Sequence, residues 1–520
     1  MKQVLFVAAE NAALPGGKVG GIGDVVRDLP VALADEGWFT TVLTPAYGFL
    51  HELPEASEIQ SLTVNFAGNN ERVQFYVVPG GDQRVRHVVA EHPLFSPLGP
   101  GKIYCDDGPH RPFASDAHKF AFFCATVATY LMQPSTRAFD VVHLHDWHAA
   151  LLLLLRQYAP EFRMLRELRC VYTIHNLALQ GIRPLSGDPS ALESWYPGLA
   201  YERAVVEDPR YDDCINPMAL AIRLADCVNT VSPTYAEEIR LPDDPATGFY
   251  GGEGLEQDTQ AAAKADRLVG ILNGCMYPAG KKTHGWQPLA RALRSLPATL
   301  AVAPAVETIL RRFRRRRPRT IVTSVGRITA QKVSLLLESV ADDGSDYTAL
   351  DAVLERLGDD SLFILLGSGD PELEHKLAAV MARHENALFV NGYHETLADR
   401  LYACGDLFLM PSSFEPCGIS QLLAMRAGQP CVVHGVGGLR DTVNDGETGF
   451  VFAGATPAAQ AREFVKACDT ALTLRQSQPD RWRSITRAAA AARFCWGTAA
   501  RAYIRDLYND GTEPDHAARN

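Results

Sequence analysis

A chain of 520 residues, 47% apolar and 21% charged, has the balance of a globular protein and is too long for one ordinary core, so two domains are expected. Its net charge of −11 excludes a general nucleic-acid binder, which needs clustered Lys and Arg against backbone phosphate. Eleven cysteines with no CxxC pair and no Cys/His spacing for zinc read as reduced thiols. The run LLLLL at 151–155 is too short to span a bilayer, and a cytoplasmic protein with no membrane or nucleic-acid partner is expected.

Short apolar runs alternate with helical patterns along the whole chain, the mark of parallel β/α units. Val4–Ala9 reads as a first strand rather than an export signal, because Glu10 and Asn11 follow it at once. Further strands are expected at Thr40–Thr44, Val141–His145, Cys170–Ile174, Cys227–Val231 and Leu268–Leu272. A second series is expected at Thr320–Val325, Leu362–Leu366, Leu388–Val390, Leu407–Met410 and Cys431–His434. Between the two series, 278–319 shows no clear strand and carries the basic run RRFRRRRPR, read as a solvated helix end. Helices are expected from Pro457 to about Tyr508, followed by a polar tail, DGTEPDHAARN.

The candidate functional residues all follow expected strands, where open α/β sheets bind their ligands. GGKVGGIGDV opens a helix after the first strand: glycines allow a ligand close to the backbone, and Lys18 adds a mobile positive charge. Its spacing fits neither GxGxxG nor GxxxxGK[ST], and a tight strand-to-helix turn is the alternative, less favoured reading. In FDVVHLHDWH, alternation puts His143 and His145 on one face, and Asp146 at the strand end either reaches ligand hydroxyls or caps the next helix. Zinc is poorly supported there, because no second cluster supplies ligands. CVYTIHNLALQG brings His175 and Asn176 to a strand end, as partners for hydroxyls that both donate and accept.

In SVGRITAQK, Arg327 and Lys332 are two cations able to offset the charge of a departing diphosphate. Tyr393 in NGYHETL offers a ring to a nucleobase. PSSFEPCGISQ places Glu415 where a buried strand ends, just before a helix start at Gly418 to Ser420 that favours an anion. GVGGLRDTV brings backbone at Gly437 and Gly438 near the same place.

Taken in order, these strings resemble the motifs of bacterial glycogen synthases and plant starch synthases. KxGGLxDV is met at Lys18, Gly20, Gly21, Asp24 and Val25, and HxHDWH at His143 to His148. TxHNLxxQG is met from Thr173 to Gly181, SRLTxQKG at Arg327, Thr329, Gln331 and Lys332, and FEPCG from Phe414 to Gly418. GYxExLxxxxYAxxDxFLxPS runs through Ser412, and GGLxDTV…TGF closes at Phe450. Ser413 stands for the usual Arg, Ser420 for Thr and Val333 for Gly, and NGCMYPAG lacks the acidic residue of NGID.

The resemblance implies a GT-B architecture, two Rossmann-like doubly wound parallel-sheet domains facing an interdomain cleft. It implies a first, acceptor-side domain over 1–277, a linker over 278–319, a nucleotide-sugar domain over 320–495 and a helix over 496–520 returning to the first domain. The implied activity is a retaining hexosyltransferase moving glucose from ADP-glucose to the nonreducing end of an α-1,4-glucan. His175, Glu415, Arg327 and Lys332 would be catalytic. Lys18, Gly20, Gly21, Asp146, Asn176, Tyr393, Cys417, Gly418, Ile419 and Ser420 would bind the nucleotide sugar. No Asp-x-Asp occurs, so no metal and no cofactor is expected, and Arg327, Lys332 and the helix start would carry the phosphate charge. Two other readings stay open: a related enzyme with UDP-glucose or another acceptor, and a degenerate glucan-binding protein.

Overall fold

A computed structural model describes residues 2–134, 139–277, 285–297, 300, 303–341 and 346–509. The chain forms two compact units: Met1–Pro242 with Gly251–Met276 and Cys495–Asn520, and Asp243–Tyr250 with Tyr277–Phe494.

The first unit contains β1 (Gln3–Val7), β2 (Phe39–Pro45), β3 (Ser57–Phe66), β4 (Asn69–Val78), β5 (Val85–Glu91), β6 (Val141–His145) and β7 (Arg169–Ile174). These are followed by the short β8 (Arg183–Pro184) and β9 (Cys214–Ile215), then β10 (Cys227–Thr230) and β11 (Leu268–Gly270). Nine strands form one sheet in the order β11-β10-β7-β6-β1-β2-β5-β4-β3, while β8 and β9 pair separately. All pairings in the large sheet are parallel except those made by β4 with β3 and β5.

The strand β1 shows why. Its Val4 and Phe6 pack with the helix Gly21–Asp35 on one face, and Leu5 and Val7 join the core on the other. A strand buried on both faces reads as a continuous apolar run, which is how parallel sheets are recognised.

The hairpin β3–β4 and the strand β5 were not expected from the sequence. In β3 and β4 only Val64, Phe66, Val73, Phe75 and Val78 are deeply buried, so their half-polar pattern does not look like a buried parallel strand. Their two-residue turn, Ala67 (φ 52°) and Gly68 (φ 77°), has the positive dihedrals of a type I′ hairpin without its usual Asn-Gly signal.

The second unit is a wholly parallel sheet of β12 (Ile321–Val325), β13 (Leu362–Gly367), β14 (Ala387–Asn391), β15 (Leu407–Met410), β16 (Cys431–His434) and β17 (Gly449–Phe452). Its order is β14-β13-β12-β15-β16-β17. Leu362, Ile364 and Leu366 face one core, and Phe363 and Leu365 the other.

The stretch read as a linker carries two helices, Trp286–Arg294 and Ala303–Arg312. Trp286, Leu289 and Leu293 recur at helical spacing and pack with Val306, Ile309 and Phe313 into the core of this unit. Residues 278–284, 298–299 and 301–302 of that stretch lie outside the described residues. The arginine run is less solvated than expected: Arg312 donates to the carbonyl of Glu385 at 2.9 Å, and Arg317 pairs with Asp406 at 2.7 Å.

The helix Trp496–Tyr503, extended by a π turn to Tyr508, packs in the first unit against Val25, Val26 and Leu29. Trp496 Nε1 donates to Asp28 Oδ2 at 3.1 Å. The polar tail, 510–520, lies outside the described residues. Among the described residues no helix is long and apolar enough to cross a membrane.

In each sheet the chain reverses direction of winding beside its first strand. β1 lies between β2 and β6, and β12 between β13 and β15. The carboxyl ends at such points are where doubly wound sheets hold ligands.

Candidate active site

In the first unit, the loop after β1 and the ends of β6 and β7 come together because these three strands are neighbours. Lys18 is exposed and pairs with Asp24 at 2.5 Å. Gly20 precedes the helix Gly21–Asp35, and the anion at this helix start is the protein's own. The backbone N–H groups of Val19 and Gly20 donate to Glu10 Oε2 at 2.8 and 2.6 Å. The Tyr104 hydroxyl donates to Glu10 Oε1 at 2.7 Å. The glycine-rich loop is therefore organised around a buried carboxylate, where the sequence reading had put a ligand's phosphate. Glu10 was legible only as a lone acid after an apolar run, and Tyr104 gave no signal at all.

Asp146 has a positive φ of 52°, a strained conformation for a residue with a side chain, of the kind that clusters at functional sites. Its carboxylate does not cap its own helix. Oδ1 accepts the backbone N–H of His175 at 2.7 Å, tying the end of β6 to the end of β7. Burial pushes the Asp146 carboxyl up to about 8, against the opposing effect of backbone N–H groups from His175 and Asn176. The Asn176 Oδ1 accepts the backbone N–H of Ala178 at 2.9 Å, which fixes the following turn. His175 is only partly exposed, and burial lowers its imidazole to about 3, so it is neutral.

Behind these residues runs a buried polar chain. His143 Nε2 lies 2.6 Å from Thr173 Oγ1, and His143 Nδ1 lies 2.8 Å from the Tyr508 hydroxyl. Thr173 Oγ1 and Tyr503 Oη both donate to Asn229 Oδ1, at 2.8 and 2.9 Å. Asn229 Nδ2 donates to the carbonyls of Thr230 and Val269, which fixes the amide's orientation. Thr173 has then spent its only proton, so His143 Nε2 must donate and His143 Nδ1 must accept from Tyr508. Within this strand His143 thus serves a buried hydrogen-bond relay, and among the described residues no group of three His, Cys, Asp or Glu is arranged to hold a metal.

In the second unit, the loops after β12 and β15 are joined directly. Lys332 Nζ forms an ion pair with Glu415 Oε2, which also accepts from the Ser412 hydroxyl at 3.1 Å. Gln331 Nε2 donates to the Phe414 carbonyl at 2.9 Å, and the Ser413 N–H donates to the Gln331 carbonyl at 2.8 Å. The carbonyl of Glu415 accepts from the N–H of Gly438 at 3.0 Å. Glu415 is thus held at both its backbone and its side chain, while Arg327 stands exposed beyond β12.

Cys417 is buried, and Gly418, Ile419 and Ser420 are partly exposed ahead of the helix Ser420–Arg426. The Ser420 hydroxyl donates to the Val325 carbonyl at 3.2 Å and accepts from Tyr402 at 3.0 Å, so its side chain serves packing. Tyr393 follows β14 and is 69% exposed. The segment Asp243–Tyr250 belongs to this unit, with the Tyr250 ring 4.6 Å from that of Phe414, beside Glu415.

Residues 3–261 match the family described as the starch synthase catalytic domain, and residues 319–472 match glycosyl transferases group 1. The chain is 34% identical over 514 residues to the glycogen synthase of Anaeromyxobacter dehalogenans (strain 2CP-C), covering 96% of this chain and 98% of that protein. The glycogen synthase of Gloeobacter violaceus (strain ATCC 29082 / PCC 7421) is 33% identical over 524 residues, covering 97% and 98%. Among solved structures, the catalytic domain of Starch Synthase IV from Arabidopsis thaliana, bound to ADP and acarbose, superimposes with a TM-score of 0.76 at 24% identity, covering 98% of each chain. Sucrose-phosphate synthase from Thermosynechococcus elongatus does so at 0.57 and 18%, covering 97% and 98%. The chain belongs to the glycogen synthase family and is a hexosyltransferase built on the two Rossmann-like units of the GT-B fold.

Proposed function

We propose that the protein transfers glucose from ADP-glucose to the nonreducing end of an α-1,4-glucan with retention, and that it works in the cytoplasm without a metal or other cofactor. The observation that carries this reading is the Lys332–Glu415 pair at adjacent carboxyl ends of the second sheet. A solved starch synthase of the same fold holds ADP and acarbose, which supports an adenine nucleotide as donor and a glucan as acceptor.

In this reading the second domain holds the donor. Tyr393 stacks on the base. Arg327, Lys332 and the backbone from Cys417 to Ser420 take up charge as the bond between glucose C1 and the diphosphate oxygen breaks. Glu415, held by Lys332 and Ser412, positions the sugar and stabilises the oxocarbenium-like centre without attacking it. The acceptor hydroxyl bonds to C1 on the face the diphosphate leaves, and its proton passes to the departing phosphate oxygen. In the first domain, taken by itself, Asp146, His175 and Asn176 are suited to sugar hydroxyls and Lys18 with the Gly21 backbone to an anion, while the Gly20 N–H is held by Glu10.

The test is nucleotide release from ADP-, UDP- and GDP-glucose at equal concentration, with and without glycogen or maltooligosaccharide. ADP release that requires the glucan is expected. A strong UDP preference overturns the donor, and glucan binding without release from any donor overturns the activity.

A further inference from the structure

Every strand-end residue discussed above has been given a role except His145, which is completely buried behind His175. Its Nδ1 lies 2.9 Å from His175 Nε2, so one proton is shared between two nitrogens and its owner decides what His175 shows on its other side. Burial and the neighbouring histidines hold the His145 imidazole well below its ordinary range, and burial does the same for His175, so both rings are neutral and each carries one N–H.

Two arrangements are possible. If His175 donates from Nε2, His145 keeps its proton on its own Nε2. That atom is buried with no hydrogen-bond partner. The ring is stacked on Phe6 at 5.4 Å and 16°, and on His143 at 4.3 Å and 30°, so an in-plane N–H runs alongside both ring faces and points at neither. Buried backbone N–H groups without an acceptor are rarer than buried carbonyls without a donor, and an imidazole N–H has the same need of an acceptor. If instead His145 donates from Nδ1, the atom left without a partner is a bare ring nitrogen, which is the better tolerated of the two. His143 cannot reverse this choice, because Thr173 and Tyr508 already engage both its nitrogens.

We propose that His145 is a positioning residue whose Nδ1–H donates to His175 Nε2, fixing His175 as an Nδ1–H donor toward the sugar. This rests on the placement of His175 at the substrate made above and adds its chemical sense. With Nε2 occupied and Nδ1 protonated, His175 has no lone pair for a proton. It donates a hydrogen bond to a sugar oxygen and is not the base that takes the acceptor's proton, which agrees with that proton leaving on the phosphate.

The test has two arms on the full-length protein. Nitrogen-15 NMR of labelled histidine, assigned by single substitutions, is expected to show Nδ1–H on His145 and His175 and Nε2–H on His143. Nε2–H on His145 or His175 overturns the proposal whether or not the enzyme is active. Kinetics with ADP-glucose and glycogen then separate positioning from packing. In His145→Asn the amide nitrogen takes the place of Nδ1 and should keep kcat within about threefold, whereas His145→Gln and His145→Leu should lose at least about tenfold in kcat with little change in KM. Equal losses in the Asn, Gln and Leu variants, with circular dichroism unchanged, overturn it. Full turnover by His175→Ala overturns the placement of His175 itself, an outcome the NMR arm distinguishes from failure of the tautomer.

Discussion

At the scale of single residues, the second unit concentrates its chemistry in one carboxylate. Glu415 is 6% exposed and its Oε2 takes both Lys332 and Ser412, so its position is fixed from two sides. Lys332→Ala leaves a buried carboxylate with one neutral donor, and Glu415→Ala leaves the ammonium without its counter-charge. Each is expected to lower kcat by about a hundredfold or more in the nucleotide-release assay. Ser413 replaces the family's arginine, yet its contacts are a backbone N–H and a hydroxyl on the same Gln331 carbonyl. Ser413→Ala keeps the first of these and should leave turnover close to that of the parent, and a large loss would show that this hydroxyl meets substrate.

At the scale of elements, the C-terminal helix is bound to the first sheet by two tyrosines with unequal duties. Tyr508 is the donor to His143 Nδ1, which is completely buried, so Tyr508→Phe strands an acceptor and should cost about 1–3 kcal/mol. Tyr503 shares Asn229 Oδ1 with Thr173, so Tyr503→Phe leaves that oxygen satisfied and should cost about 1 kcal/mol or less. Urea unfolding of both variants measures the order, and the reverse order would refute the proton assignment in the relay. The β3–β4 turn makes the opposite kind of prediction. Ala67 sits at φ 52°, where a Cβ costs about 1–2 kcal/mol, partly offset by the chain entropy that a glycine loses. Ala67→Gly should therefore raise the urea midpoint, by about 0.5 kcal/mol of stability.

At the scale of the whole molecule, stability should fall steeply in mild acid. Burial lowers His143, His148 and His175 to about 3 and His87 to about 4, from 6.5 in the unfolded chain. A group whose folded pKa is depressed contributes stability above its unfolded pKa and loses it as pH falls toward its folded one. The loss therefore begins below pH 6.5 and continues to about pH 3. Each of these histidines adds about 1.4 kcal/mol per pH unit to the slope. The Asp146 carboxyl, raised to about 8, has the opposite sense: its contribution is present below the ordinary carboxylate range and is lost as pH rises through 8. Thermal melts from pH 4 to 9 should show the acid limb, and Asp146→Asn, which removes a slope of opposite sign between about 3.8 and about 8, should steepen that limb and flatten the fall above pH 6.5.

Much of the molecule was legible before folding. The apolar runs at Val4, Val141 and Leu362 mark strands buried on both faces, because a parallel sheet between helix layers needs no polar face. The residues His175, Lys332 and Glu415 lie just past such runs, and it was their place in strings resembling glycogen and starch synthase motifs that singled them out. The half-polar hairpin, with Ala67 in place of the usual turn signal, was not legible. Nor were the helices of 286–312, whose apolar stripe is interrupted by arginines. Tertiary structure alone decided which donors meet which acceptors. It gave the amides of Val19 and Gly20 to Glu10, joined Lys332 to Glu415 across 83 residues of chain, and set His145 behind His175. Periodicity reports which face a residue is on, whereas the partner of a buried polar atom depends on which strands become neighbours, and that is settled only when the chain has folded.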